Sequence, residues 1–125
     1  MAAGGAKRKI LLIDDDYDFL ESMHLLLVMD GHDVIPISDG RGAVDIYREF
    51  EPDIVLLDVR MPGIDGFETF LRLKRHDGGA KIVFTSSYAI NAERYKEARS
   101  KSLSGMLTKP IEPAALRKAI RTLAK

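Results

Sequence analysis

The chain has no cysteine. That absence excludes disulfide staples, thiolate metal centres and a cysteine nucleophile. Net charge is missing as well, since 19 Lys and Arg balance 19 Asp and Glu. Direct binding to nucleic acid or to a membrane is therefore not expected, and only a local patch could support either. No apolar run approaches the ~20 residues that span a bilayer. The opening MAAGGAKRK lacks the apolar centre of a secretion signal, and residues 1–7 read as a flexible tail. A cytoplasmic location is the expectation. What is present is 125 residues, 46% hydrophobic and 30% charged, the size and balance of one globular domain with its own core. That domain is placed at residues 8–125.

Short apolar runs alternate with helical stretches. Residues 10–13, 34–37, 54–57, 82–84 and 106–107 are the candidate strands. Several are continuous aliphatics rather than alternating ones, as parallel strands covered on both faces are. Between them, Phe19, Leu20, Met23, Leu26 and Leu27 form a helical stripe that stops at Asp30-Gly31. Ala43, Val44, Tyr47 and Phe50 mark a second helix ahead of Pro52, and Phe67, Phe70, Leu71 and Lys74 a third ahead of Gly78-Gly79. Ile90, Tyr95 and Ala98 suggest a thin, mostly polar fourth helix; Pro113 opens a fifth carrying Leu116, Ala119, Ile120 and Leu123. Five such units predict an α/β fold with a parallel sheet. Pro36 lies inside the second run, which assigns that strand to an edge where a missing N–H is tolerated. No output domain is expected within these residues.

The polar residues that follow each apolar run carry the functional signal. Asp14 and Asp15 follow the first, Asp58 the third, Thr85, Ser86 and Ser87 the fourth, and Thr108 and Lys109 the fifth. In an open parallel sheet these ends share one edge, and ligands bind in the crevice there. A strand often ends in Asp or Ser simply to start a turn or cap a helix. Asp58, ahead of Val59-Arg60-Met61-Pro62-Gly63, and Lys109, ahead of Pro110, have no such explanation. Adjacent carboxylates raise one another's pKa unless a cation or hydrogen bonds compensate, so Asp14, Asp15 and Asp16 are either a solvated helix start or a cation site. Carboxylates with few neutral ligands suit Mg2+, a lysine offers a point charge for a phosphoryl oxygen, and a carboxylate beside a metal can form an acyl phosphate. Phosphoryl transfer needs little beyond such positioning and charge neutralisation.

The segments ILLIDDD (10–16), IVLLDVRMPGIDGFE (54–68), IVFTSS (82–87) and LTKP (107–110), in this order and spacing, resemble a response-regulator receiver domain of two-component signalling over residues 8–124. The resemblance implies a flavodoxin-like (βα)5 fold with strand order 2-1-3-4-5, taken from the family and not from periodicity. It implies Asp58 as phosphoacceptor. Asp15 and Asp58 would hold Mg2+ directly, Asp14 largely through water, and the backbone carbonyl of Arg60 would complete the protein ligands. Lys109 would bind a phosphoryl oxygen. The switch hydroxyl is Ser86 counting forward from the fourth strand and Ser87 counting back from Lys109; Ser86 is expected, with one inserted residue before the fifth strand. Asp16 is expected to favour the first helix's N-terminal dipole. The implied partners are a sensor histidine kinase or phosphotransfer protein upstream and a protein target or linked output domain downstream. The chain would be a signalling phosphoacceptor, not an enzyme.

Two departures stand out. Met106 replaces the Tyr or Phe common in the family and cannot make a tyrosine's hydrogen bond. Arg60 is large and cationic, and is expected to lean over the phosphoryl group and alter its loss. Tyr88, Ile90 and Tyr95 are either contacts on the face built by the fourth helix, fifth strand and fifth helix, or core and incidental surface residues. The competing readings are a receiver acting through its surface without phosphorylation, and a haloacid-dehalogenase-like phosphatase using Asp14 as nucleophile and Asp16 as acid/base. A flavodoxin-like FMN carrier fits poorly, because an acidic loop repels phosphate. His24, His32 and His76 lack a common ligand spacing.

Overall fold

A computed structural model describes residues 6–60, 65–87 and 92–125. Its elements alternate strictly: β1 (Lys9–Ile13), α1 (Tyr17–Met29), β2 (Asp33–Ile37), α2 (Ala43–Phe50), β3 (Ile54–Asp58), α3 (Gly66–His76), β4 (Ile82–Ser86), α4 (Ala92–Ser100), β5 (Gly105–Thr108) and α5 (Pro113–Leu123). The sheet is parallel throughout, in the order β2-β1-β3-β4-β5. The aliphatic runs explain it, because β3 and β4 are buried along their whole length and β1 everywhere except Lys9. Pro36 stands opposite Leu12 in edge strand β2, as its missing N–H requires.

Side chains of each strand alternate between two cores. Leu11, Ile13, Val55, Leu57, Ile82 and Phe84 meet α2, α3 and α4 through Tyr47, Phe70, Leu73 and Ala98. Ile10, Leu12, Ile54, Leu56 and Val83 meet α1 and α5 through Leu20, Leu27, Leu116 and Ile120. The helices end where their sequences stop them. Gly31 takes φ 97° after α1, with His32 N–H donating to Leu27 O and Gly31 N–H to Val28 O, a Schellman closure that glycine reaches without strain. Asp65 caps α3 by accepting from Glu68 N–H at 2.8 Å.

The strands run further than their apolar runs. Asp58 pairs with Thr85 and Ser86 with Thr108, so residues read as following β3, β4 and β5 are their final rungs. A polar side chain at a strand end does not interrupt a backbone ladder. The fourth helix is as thin as its pattern indicated: Ala98 is its buried residue and Tyr95 is half-buried. Tyr88 and Ile90 lie outside the described residues, as do Met61, Pro62 and Gly63 and residues 1–5 of the expected tail.

One close approach ties the fold to the acidic edge. Gly66 opens α3 against the end of β3, and a Cβ there would overlap the Asp58 carbonyl oxygen and the Val59 Cα. Its N–H donates to Val59 O at 3.3 Å. The obstacle is backbone, which cannot rotate away. Gly66→Ala is therefore expected to cost about 1–3 kcal/mol of stability and to shift the amide resonances of Asp58 and Val59; urea unfolding and a backbone NMR spectrum check both.

Candidate functional site

The C-terminal ends of β1, β3 and β5 bring one lysine among three carboxylates. Asp14 follows β1 and is fully buried. Its N–H donates to Ile37 O at 3.1 Å, which holds the backbone against β2. Both of its carboxylate oxygens are engaged: Oδ1 accepts from Asp16 N–H at 2.9 Å and Oδ2 from Lys109 Nζ at 2.7 Å. Asp58, 5% exposed, closes β3, and its Oδ1 accepts from Arg60 N–H at 3.0 Å. Lys109 extends the β4–β5 ladder through its N–H to Ser86 O at 2.8 Å, followed by a cis bond to Pro110. From there Nζ stands 3.8 Å from Asp58 Oδ2, an ion pair too long to be a hydrogen bond.

Asp15 completes the group and is its most exposed member. Carboxylate oxygens of Asp14, Asp15 and Asp58 all lie within 4.8 Å of one another. Burial raises the Asp58 carboxyl to a pKa of about 6; the Arg60 N–H opposes the rise, Asp14 adds to it, Lys109 opposes it and Asp15 adds to it. Three carboxylates with one ammonium beside them form an oxygen-only donor set with surplus negative charge. Those properties fit a hard divalent cation such as Mg2+. Among the described residues this is the only Asp, Glu, His or Cys group with metal-holding geometry.

The remaining candidates fall at different distances from this centre. Ser86 is the last residue of β4 and is buried, whereas Ser87 is exposed. Thr85, also buried, stands opposite Asp58 in the ladder. Arg60 is exposed and lines an open depression with Val59, Asp65 and Arg94. Asp16 turns away from the cluster and caps α1, its Oδ1 accepting from Asp18 N–H and Phe19 N–H. Met106 is 37% exposed on β5. The histidines share no site: His32 Nδ1 accepts from Arg8 N–H, and His76 meets the Tyr47 ring edge-on.

Two features escaped the sequence reading. Arg94 of α4 pairs with the Asp65 cap of α3 at 3.0 Å and stacks over the Phe67 ring at 5.1 Å, joining two helices across the depression. Nothing in a polar helix singles out one arginine for that. Phe19, read as part of the α1 core stripe, puts its ring centroid 4.1 Å from Lys109 Nζ. Its position in the first turn after an acidic strand end was the available signal.

Comparison with known proteins agrees with this geometry. The family model described as "Response regulator receiver domain" matches residues 10–121. Chemotaxis protein CheY of Halobacterium salinarum is 30% identical over 114 residues, covering 90% of this chain and 93% of that one. Sporulation initiation phosphotransferase F of Bacillus subtilis is 27% identical over 113 residues, covering 90% of each. Among solved structures, chemotaxis protein CheY4 of Vibrio cholerae superposes with a TM-score of 0.85 at 25% identity, covering 94% of this chain and 99% of that one.

The raised Asp58 pKa sets a pH dependence. Between its ordinary value of 3.8 and about 6 the folded protein holds a proton that the unfolded chain releases. Stability contributed by Asp58 therefore grows as pH falls through that window, and above it the ionised carboxylate is a net cost. Asp58→Asn is expected to be more stable than wild type by about 1–3 kcal/mol at neutral pH in metal-free buffer. The gain should shrink as pH falls below 6 towards 3.8, which denaturant unfolding across pH checks.

Proposed function

The chain belongs to the response regulator receiver domain family of two-component signalling, and on that footing we propose that residues 8–125 take a phosphoryl group onto Asp58 and relay the event as a change in a protein-binding face. The observation that carries the reading is the Lys109 ammonium, bonded to Asp14 and 3.8 Å from Asp58, beside three clustered carboxylates. The donor would be the phosphohistidine of a sensor kinase or phosphotransfer protein. An Asp58 carboxylate oxygen forms the new O–P bond as the donor's P–N bond breaks, and the imidazole nitrogen keeps the electron pair. With a pKa of about 6, Asp58 is mostly ionised at neutral pH and competent as the nucleophile.

Asp15 and Asp58 would hold Mg2+ directly, with the Arg60 carbonyl. Asp14, both of whose oxygens are already bonded, would act through water. A bound Mg2+ supplies the charge neutralisation that lets an anionic phosphodonor approach a carboxylate. Once Asp58 is phosphorylated, Lys109 would bond one phosphoryl oxygen and a serine hydroxyl another. Burial at the end of β4 favours Ser86 for that hydroxyl over exposed Ser87. Shifting a two-state protein from about 1% to 99% active takes ~5.5 kcal/mol. Two charge-assisted hydrogen bonds at ~1.5–3 kcal/mol each would approach that figure if neither were offset beforehand, and the existing bond from Lys109 to Asp14 at 2.7 Å offsets part of the first.

The face that changes would be α4, β5 and α5, where α4 is held by little burial and Met106 stands exposed. Its reader would be a protein target or a linked output domain. A dehalogenase-like hydrolase is disfavoured by the same geometry, because Asp14 is buried and bonded at both oxygens and Asp16 is committed to capping α1. Among the described residues no helix is long and apolar enough to cross a membrane.

Acetyl phosphate with Mg2+ tests the reading by intact mass. Wild type should gain one phosphoryl group, and the adduct should vanish in Asp58→Asn and on chelation. If no adduct forms and beryllofluoride leaves the amide resonances around Asp58 unmoved, the reading fails in favour of a receiver that signals through its surface alone.

A further inference from the structure

We propose that Phe19 is a positioning residue for Lys109, its ring forming a seat on which the ammonium passes from Asp14 to phosphorylated Asp58. The inference rests on the phosphoacceptor reading above and names a residue that reading does not use. Among the described residues, Lys109 Nζ lies 2.7 Å from Asp14 Oδ2, 3.8 Å from Asp58 Oδ2 and 4.1 Å from the Phe19 ring centroid. The lysine side chain is 13% exposed. A cation this close to a ring face, and this far out of water, is attracted by the ring quadrupole.

The ring differs from the two carboxylates in a way that suits a moving group. It draws the positive charge without fixing a particular N–H direction, so the ammonium can turn over it while keeping the contact. Asp58 Oδ2 already lies 3.8 Å from the nitrogen, so reaching an oxygen of a phosphoryl group carried there calls for only a small shift, with the ring beneath the nitrogen throughout. Water in the same place would compete for the N–H donors that a phosphoryl oxygen needs. Phe19 thus excludes the competitor and consumes no donor.

The local fold holds the ring in place. Asp16 caps α1 by accepting from Phe19 N–H at 3.2 Å and from Asp18 N–H at 3.1 Å. Its own carbonyl accepts from Leu20 N–H at 2.9 Å. The third aspartate of the run therefore grips the backbone of the residue that seats the lysine, while the first holds the lysine itself.

A purely packing role for Phe19 would be satisfied by any side chain of similar bulk, and that separates the two accounts. Phe19→Leu keeps an apolar side chain and removes the ring; Phe19→Tyr keeps the ring. Two measurements are made on the full chain: the NMR shift of the Lys109 ε-methylene protons, and beryllofluoride affinity in Mg2+. The ε-methylene protons should lie upfield of their free-lysine position in wild type and Phe19→Tyr, and return to it in Phe19→Leu. Beryllofluoride affinity should fall about three- to tenfold in Phe19→Leu and recover to within about twofold of wild type in Phe19→Tyr. Unshifted Lys109 protons in wild type, or a Phe19→Leu protein that binds beryllofluoride as well as wild type does, would overturn the seat alone. Failure of wild type to bind beryllofluoride overturns the phosphoacceptor reading and the seat together.

Discussion

The bond from Lys109 to Asp14 is the contact on which the acidic edge depends. Three carboxylates converge at the ends of β1 and β3, and a single ammonium stands among them. Buried like charges at this spacing oppose one another's ionisation, and at Asp58 that repulsion adds to burial, the main cause of its raised pKa. Lys109 offsets enough of the repulsion for Asp14 to sit fully buried with both oxygens bonded. The arrangement is an electrostatic shortfall held open by the sheet, because the strands that carry these residues are locked in register by backbone pairing. The proposed binding of a cation and a phosphoryl group would need such a shortfall kept in place before the ligands arrive.

The opposite edge of the sheet shows what a satisfied cluster looks like. There Asp77 accepts from the Tyr47 hydroxyl at 2.7 Å, from Gly79 N–H at 2.9 Å and from Lys125 Nζ at 3.1 Å. These partners, Tyr47 foremost, lower its pKa to about 2, and burial with the Asp77 contact raises that of Tyr47. Asp77 has donors to spare, whereas Asp58 has one backbone N–H and a distant ammonium. Two aspartates in one small domain therefore titrate far apart, chiefly because burial dominates at Asp58 and hydrogen-bond donors dominate at Asp77. Closure on the α3 side is steric: Gly66 leaves no room between its helix and the Asp58 carbonyl.

Much of this was legible in the chain because the relevant signals are local. Continuous aliphatics, glycine stops and Pro36 were enough for five βα units and an edge β2, and the strand order came from the family resemblance. The convergence of Asp14, Asp15, Asp58 and Lys109 followed once the strand ends were placed on one edge. Strand limits were harder to read, since Thr85, Ser86 and Thr108 are polar at positions where only backbone pairing matters. Arg94 and Phe19 were not legible in their roles. A helical pattern reports which residues are apolar, and it is silent on which ring lies under which ammonium or which arginine reaches a neighbouring helix cap. Such contacts depend on how the first turn of α1 meets the residue that follows β5 and on how α4 packs against α3.

The three consecutive aspartates carry a consequence for how the sequence stores information. Asp14 faces inward to a lysine 95 positions away, Asp15 stands at the carboxylate cluster, and Asp16 turns outward to cap a helix. A composition filter would score the run as a single acidic tract of low complexity. The fold treats it as three distinct addresses written with one letter, each legible only by its phase relative to β1. Inserting one residue between Ile13 and Asp14 would leave all three letters in place and still misdirect every one of them.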